Sequence, residues 1–217
     1  MEPVLYLRVA KSIIGLFGMI GNTLVCLVIH HNHEMHTFTN ALIFNQAVID
    51  FLSCVFIFLH SNIPDSGPPS SGIAGHLFCQ LWDTPIVLFA LLVASTFSLV
   101  VITLERYVAI IFPFHYMTLF TRTKTVVLIC CIWIFAFIFK LLDMRRYDML
   151  DNKCTAREIK WQKGFSVSQK SVWYSITVLM AQSNSAINFV VYGFKYKKFR
   201  KGLWKLFGCS TPIEPNY

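Results

Sequence analysis

Asp50 lies in the middle of the apolar stretch Phe-Asn-Gln-Ala-Val-Ile-Asp-Phe-Leu, where an ionised carboxylate has no water to face. Asn22 sits in a second such stretch, and Asn184, Ser185 and Asn188 sit in a third. Charges and amides inside apolar runs are costly to bury in lipid, so each marks a functional position. If the helices that carry them bring these groups to one depth, they can bond to one another away from the acyl chains. A carboxylate ringed by hydroxyl and amide oxygens could also hold a small hard cation such as sodium. A hydrogen-bonded packing cluster with no ion is the other reading of the same residues, and the sequence leaves both open.

A second constellation, Glu105-Arg106-Tyr107, closes a long apolar run. An arginine beside a glutamate at a helix end can pair locally and be released when that end meets a partner; the plainer reading is an interfacial anchor. His30, His31, His33 and His36 crowd one short segment and invite zinc or copper. A brief connection between two apolar runs has little freedom to wrap a metal, so they read as interfacial residues and no metal beyond sodium is expected. Of the seven cysteines, Cys26, Cys54, Cys130 and Cys131 lie inside apolar runs, as small buried hydrophobes do. Only Cys79, Cys154 and Cys209 stand outside them. No nucleophile–base pair or phosphate loop appears, which argues against an enzyme.

These residues must be carried by membrane-crossing helices. Of 217 residues 55% are hydrophobic and 14% charged, where a soluble domain carries about a quarter charged. Aromatic residues make up 15%, among them 20 Phe, more than a water-soluble core of this size could hide. A span needs roughly 20 apolar residues, and residues 9–29, 38–59, 81–111, 125–142 and 172–194 meet this. The expected fold is therefore all-α, a single multi-pass transmembrane bundle of about five spans. Pro64, Gly67, Pro68, Pro69 and Gly72 make 61–75 a turn-rich loop, and the polar stretch 143–171 must lie outside the hydrocarbon. Residues 195–207 place Tyr196, Phe199, Leu203, Leu206 and Phe207 on one side of a helix and Lys197, Lys198, Lys201 and Lys205 on the other, which describes an amphipathic interfacial helix. The first seven residues lack the pattern of a cleaved signal, so the first span is expected to insert uncleaved. The net charge of +8 gathers in two blocks, 140–170 and 195–205, as loop and membrane-surface charge. It forms no stripe of the kind that nucleic acid would need.

Taken in order, Gly21-Asn22, Asp50, Cys79, Glu105-Arg106-Tyr107, Trp133 and Asn184-Ser185-x-x-Asn188-x-x-x-Tyr192 resemble the rhodopsin-like (class A) G-protein-coupled receptors over most of the chain. The resemblance implies that Asp50, Ser95, Asn184, Ser185 and Asn188 match that family's sodium pocket, with Asn22 in the same polar network. It implies that Arg106, flanked by Glu105 and Tyr107, meets the G protein, and that Tyr192 swings inward on activation. It also implies a disulfide between Cys79 and Cys154, for which two free thiols are the alternative, a membrane-facing Phe199, and a palmitoylated Cys209. Lys and Arg are spread over both sides, six in 195–205 and seven in 143–171, so orientation follows the family: N-terminus extracellular, C-terminus cytoplasmic, in the plasma membrane.

Two departures stand out. Phe189 follows Asn188 where the family has proline, so the kink that a missing backbone donor imposes is not expected. No apolar run lies between the span of Trp133 and the last one, so the family's fifth and sixth helices have no counterpart. The implied partners are membrane lipid, an extracellular ligand of peptide type and a heterotrimeric G protein. Span three carries no carboxylate placed to pair an amine, since Asp83 lies near its outer end. The competing expectation is a signalling-incompetent truncated isoform that pairs with a full-length receptor and lowers its surface delivery.

Overall fold

The computed structural model describes residues 2–63, 75, 78, 86–141, 147–150, 153–156, 179–180, 183–194 and 196–208. Helix α1 (Glu2–His31) is followed by a single 3-10 turn (His33–Met35) and α2 (Phe38–Asn62). Thr37 begins α2 in extended backbone with its hydroxyl accepting from the Asn40 amide N–H, a cap for one of the donors that a helix start leaves unpaired. Helix α3 spans Ile86–Ile111; Pro113 opens the short α4 (Pro113–Leu119), and α5 (Arg122–Leu141) follows. Strands β1 (Tyr147–Leu150) and β2 (Lys153–Ala156) pair antiparallel with Met149 opposite Cys154. Residues 183–194 form α6, and α7 (Lys197–Leu206) ends at Gly208 in left-handed backbone, φ 67°.

Among the described residues, α1, α2, α3 and α5 are long and apolar enough to cross a membrane. The expected helical membrane bundle is therefore present. Among the described residues the one non-helical element is the β1–β2 ribbon, in the stretch that the sequence keeps out of the hydrocarbon. The fifth expected span, 172–194, is described only at 179–180 and 183–194, and 81–85 lie outside the described residues.

Helix α2 is the centre of the bundle. It packs on α1, α3 and α5, and 56% of its apolar window is buried against 17% for α5. One core joins Val25 and Val28 of α1, Ile43 and Ala47 of α2, Tyr192 of α6 and Phe199 of α7; a second joins Ile49, Leu91, Ala94, Ile132 and Ala136. Lipid is as apolar as these side chains, so close packing rather than water exclusion holds such interfaces. Glycine permits the closest approaches. A β-carbon on Gly202 would lie 2.6 Å from the Asn32 amide and 2.8 Å from Val28, so only a bare α-carbon lets α7 rest on α1.

That seating corrects one expectation. Phe199 is 4% exposed and packs into the first core, so it faces the bundle instead of the lipid. Tyr196, Leu203 and Leu206 pack against the same core, whereas Phe207 at the end of that side is exposed.

Candidate functional site

Helix α2 supplies the centre of the site. Gln46 and Asp50 are four residues apart, hence stacked on one helix face, and both are fully buried. The Gln46 amide Nε2 donates to Asp50 Oδ2 at 2.9 Å and to Ser95 Oγ at 2.6 Å. The Ser95 hydroxyl donates to Asp50 Oδ1 at 3.0 Å, and Asn188 Nδ2 donates to Asp50 Oδ2 at 2.7 Å. One carboxylate thus ties α2, α3 and α6 together. Its three donors compensate the desolvation that an unpaired buried carboxylate would suffer.

Two amides extend the network. Asn22 Nδ2 donates to the Gly18 carbonyl at 2.9 Å and across to the Ser185 carbonyl at 3.0 Å, linking α1 to α6. Trp133 Nε1 donates to Asn45 Oδ1 at 2.9 Å, and Asn45 Nδ2 reaches Ser98 Oγ at 3.4 Å. Of the residues expected at the polar cluster, the structure brings Asp50, Ser95 and Asn188 into direct contact and places Asn22 and the buried Ser185 beside them on α1 and α6. Asn184 is exposed instead, on a groove of about 450 Å³ with Thr96, Leu99, Val100, Thr103 and Leu104 of α3.

The cation reading can be tested against this geometry. Sodium requires oxygen atoms free to point lone pairs at it. Here both Asp50 oxygens accept N–H or O–H donors, and Ser95 Oγ accepts from Gln46 while its own hydrogen turns to Asp50. A sodium ion bridging Asp50 and Ser95 does not fit while the Gln46 amide nitrogen holds that place, although one lone pair of Asp50 Oδ1 stays open.

The second constellation sits at the other end of α3, beside α4 and the start of α2. Glu105 is fully buried. Its Oε1 accepts from the Thr39 hydroxyl at 2.5 Å and from the Tyr116 phenol at 2.6 Å. Its Oε2 faces Arg106 Nε at 3.7 Å, an ion contact too long for a hydrogen bond. The Arg106 guanidinium donates to the Tyr196 hydroxyl at 3.2 Å and lies 5.4 Å from the centre of that ring, close enough for a cation–π attraction. Arg106 also lines a cavity of about 630 Å³ with His36, Thr39, Tyr116, Arg122 and Tyr196. Burial, and after it the bond to Glu105, pushes the Tyr116 phenol above its ordinary value.

Tyr192 is buried, with its ring edge-on to Tyr196 at 5.8 Å. Tyr107 is exposed and meets Phe112 edge-on at 6.3 Å. Cys79 and Cys209 lie outside the described residues, so the disulfide and the lipidated cysteine are not located; of Cys154 the structure gives the strand position alone. His33 and His36 meet ring to ring at 5.1 Å. Gln46, Asn45, Ser98, Thr39, Tyr116 and Tyr196 are the site residues that sequence reasoning missed. For Gln46 a signal existed, because a polar residue four before a mid-span carboxylate must share its face. For the others, contact depends on how separate helices meet.

Comparison with known proteins agrees with this arrangement. The model of the 7 transmembrane receptor (rhodopsin family) matches residues 21–202. The chain is 36% identical to the human neuropeptide FF receptor 1 over 59% of its own length and 28% of that receptor. It is 35% identical to the allatostatin-A receptor of Bombyx mori, covering 56% of this chain and 32% of the relative, and 32% identical to the alpha-1A adrenergic receptor of Oryctolagus cuniculus, covering 57% and 26%. The chain thus spans about a quarter to a third of the length of these relatives, which are receptors and not enzymes. With the ordered motifs on successive helices and Asp50, Ser95 and Asn188 joined across three of them, the chain belongs to the rhodopsin family of seven-transmembrane receptors.

Proposed function

We propose that this chain is a receptor of peptide-ligand type, in truncated form, that carries an extracellular signal toward a heterotrimeric G protein from the plasma membrane, N-terminus outside and C-terminus in the cytoplasm. The observation that carries the reading is Arg106, which is held between Glu105 and Tyr196 at the mouth of a cavity and can be released to a partner entering there. A peptide is favoured over an amine because the α3 sequence bears no carboxylate before Glu105 to pair an ammonium group. The 36% identity to a receptor named for a neuropeptide supports the same choice. A Cys79–Cys154 disulfide and a palmitoylated Cys209 belong to this reading.

A second reading is favoured by the exposed Asn184 on the α3 groove, where the Thr96 and Thr103 hydroxyls already donate to carbonyls of their own helix. Polar groups on the outer wall of a membrane bundle are better satisfied against another helix than against acyl chains. In that reading the chain pairs with a full-length receptor and lowers its surface delivery.

Nucleotide exchange on a G protein by the purified chain in nanodiscs separates the two. Ligand binding acts in such receptors through its differential affinity for two arrangements, and without a sixth helix the chain alone is expected to give little or no exchange. Full exchange sustains independent signalling. No exchange, with reduced surface delivery of a co-expressed full-length relative, sustains the pairing role; unchanged delivery removes it.

A further inference from the structure

Gln46, Ser95 and Asp50 close a ring in which the hydrogens have assigned destinations. One Gln46 amide hydrogen goes to Asp50 Oδ2 and the other to Ser95 Oγ, whose hydroxyl hydrogen goes to Asp50 Oδ1. The chemistry sets the direction of the amide, since turning it over would oppose the Gln46 oxygen to a carboxylate oxygen, two acceptors with no hydrogen between them. Gln46 is fully buried in the centre of α2. For an ion to bridge Asp50 and Ser95, the amide would have to leave both acceptors inside an apolar bundle, and a buried donor without a partner is costly.

We propose that Gln46 is a built-in substitute for a cation: its amide nitrogen takes the place beside Asp50 that a sodium ion would otherwise take, and the pocket is locked without bound metal. The other buried oxygens of this cluster, Gln46 Oε1, Asn22 Oδ1 and Ser185 Oγ, are neutral. Without the carboxylate they do not offset the desolvation of an ion, and a donor such as water suits them better. The assignment deepens the receptor reading at the same polar cluster. Its test reads cation binding alone, so a chain that fails to signal leaves the result intact.

The test is the melting temperature of the purified full chain in sodium chloride against choline chloride at equal ionic strength. The wild-type chain is expected to melt at the same temperature in both. Gln46→Leu, which removes the amide while keeping an apolar side chain, is expected to gain a sodium-dependent rise that disappears when Asp50→Asn is added. Gln46→Ala is the second variant, should the leucine pack poorly. A sodium-dependent rise in the wild-type chain overturns the proposal, as does the lack of a rise in every folded Gln46 variant. Should neither variant fold, sodium NMR linewidths with the wild-type chain and with Asp50→Asn decide: equal linewidths uphold the amide lock, and broadening that requires Asp50 overturns it.

Discussion

The ring of Phe189 lies against the bare α-carbon of Gly21, so closely that a β-carbon there would fall inside the ring atoms. Phe189 also meets Phe17 at 5.0 Å between ring centres, and α6 runs unbroken through it from 183 to 194. A phenylalanine in place of the family's proline leaves the backbone donor in the helix and turns a would-be kink into an aromatic contact with α1. Gly21→Ala is therefore expected to destabilise the chain by about 1–3 kcal/mol through overpacking. Phe189→Ala in the same chain should recover part of the loss. A double-mutant cycle on thermal melts measures this, and additive losses would show that the two residues do not meet.

Asn188→Ala removes one of the three donors to the Asp50 carboxylate. The expected loss is about 1–3 kcal/mol, read as a lower melting temperature of the chain in detergent. Asn184→Ala, in a side chain that is exposed to the α3 groove, should cost clearly less. Equal losses would place both amides at the carboxylate.

Tyr116 gives a pH dependence whose sign follows from its raised phenol value. Burial is the first cause and the Glu105 carboxylate the second. Folding favours the neutral phenol, so its contribution is complete below the ordinary value of 10 and is lost as pH rises through the higher folded value. Melting temperature should fall across the alkaline range, from about pH 10 upward, more steeply in the wild-type chain than in Tyr116→Phe. Parallel curves would mean that Tyr116 does not titrate against Glu105.

Phe199 tests the seating of α7. Truncation of a buried phenylalanine costs about 3–5 kcal/mol, so Phe199→Ala should destabilise the chain strongly. Trp204→Ala, at a position 42% exposed on the same helix, should cost less. The reverse order would return Phe199 to the lipid face.

The sequence by itself determined that this is a helical membrane protein, because crossing a bilayer depends only on a local property, the length of an apolar run. It also determined which polar groups had to find one another, because a carboxylate such as Asp50 cannot be left unpaired in lipid, and the ordered motifs placed the chain in its family. Only the tertiary structure decided the partners. Asn188 of α6 reaches Asp50, while Asn184, one turn earlier on nearly the same face, ends on the α3 groove, though both belong to one motif. The approach of α3 to α2 makes Gln46 a donor to Ser95, and the seating of α7 on α1 turns Phe199 inward and brings Tyr196 to Arg106. Helical periodicity says which residues share a face; it carries no information about which neighbour that face will meet, because the meeting depends on packing summed over the whole bundle.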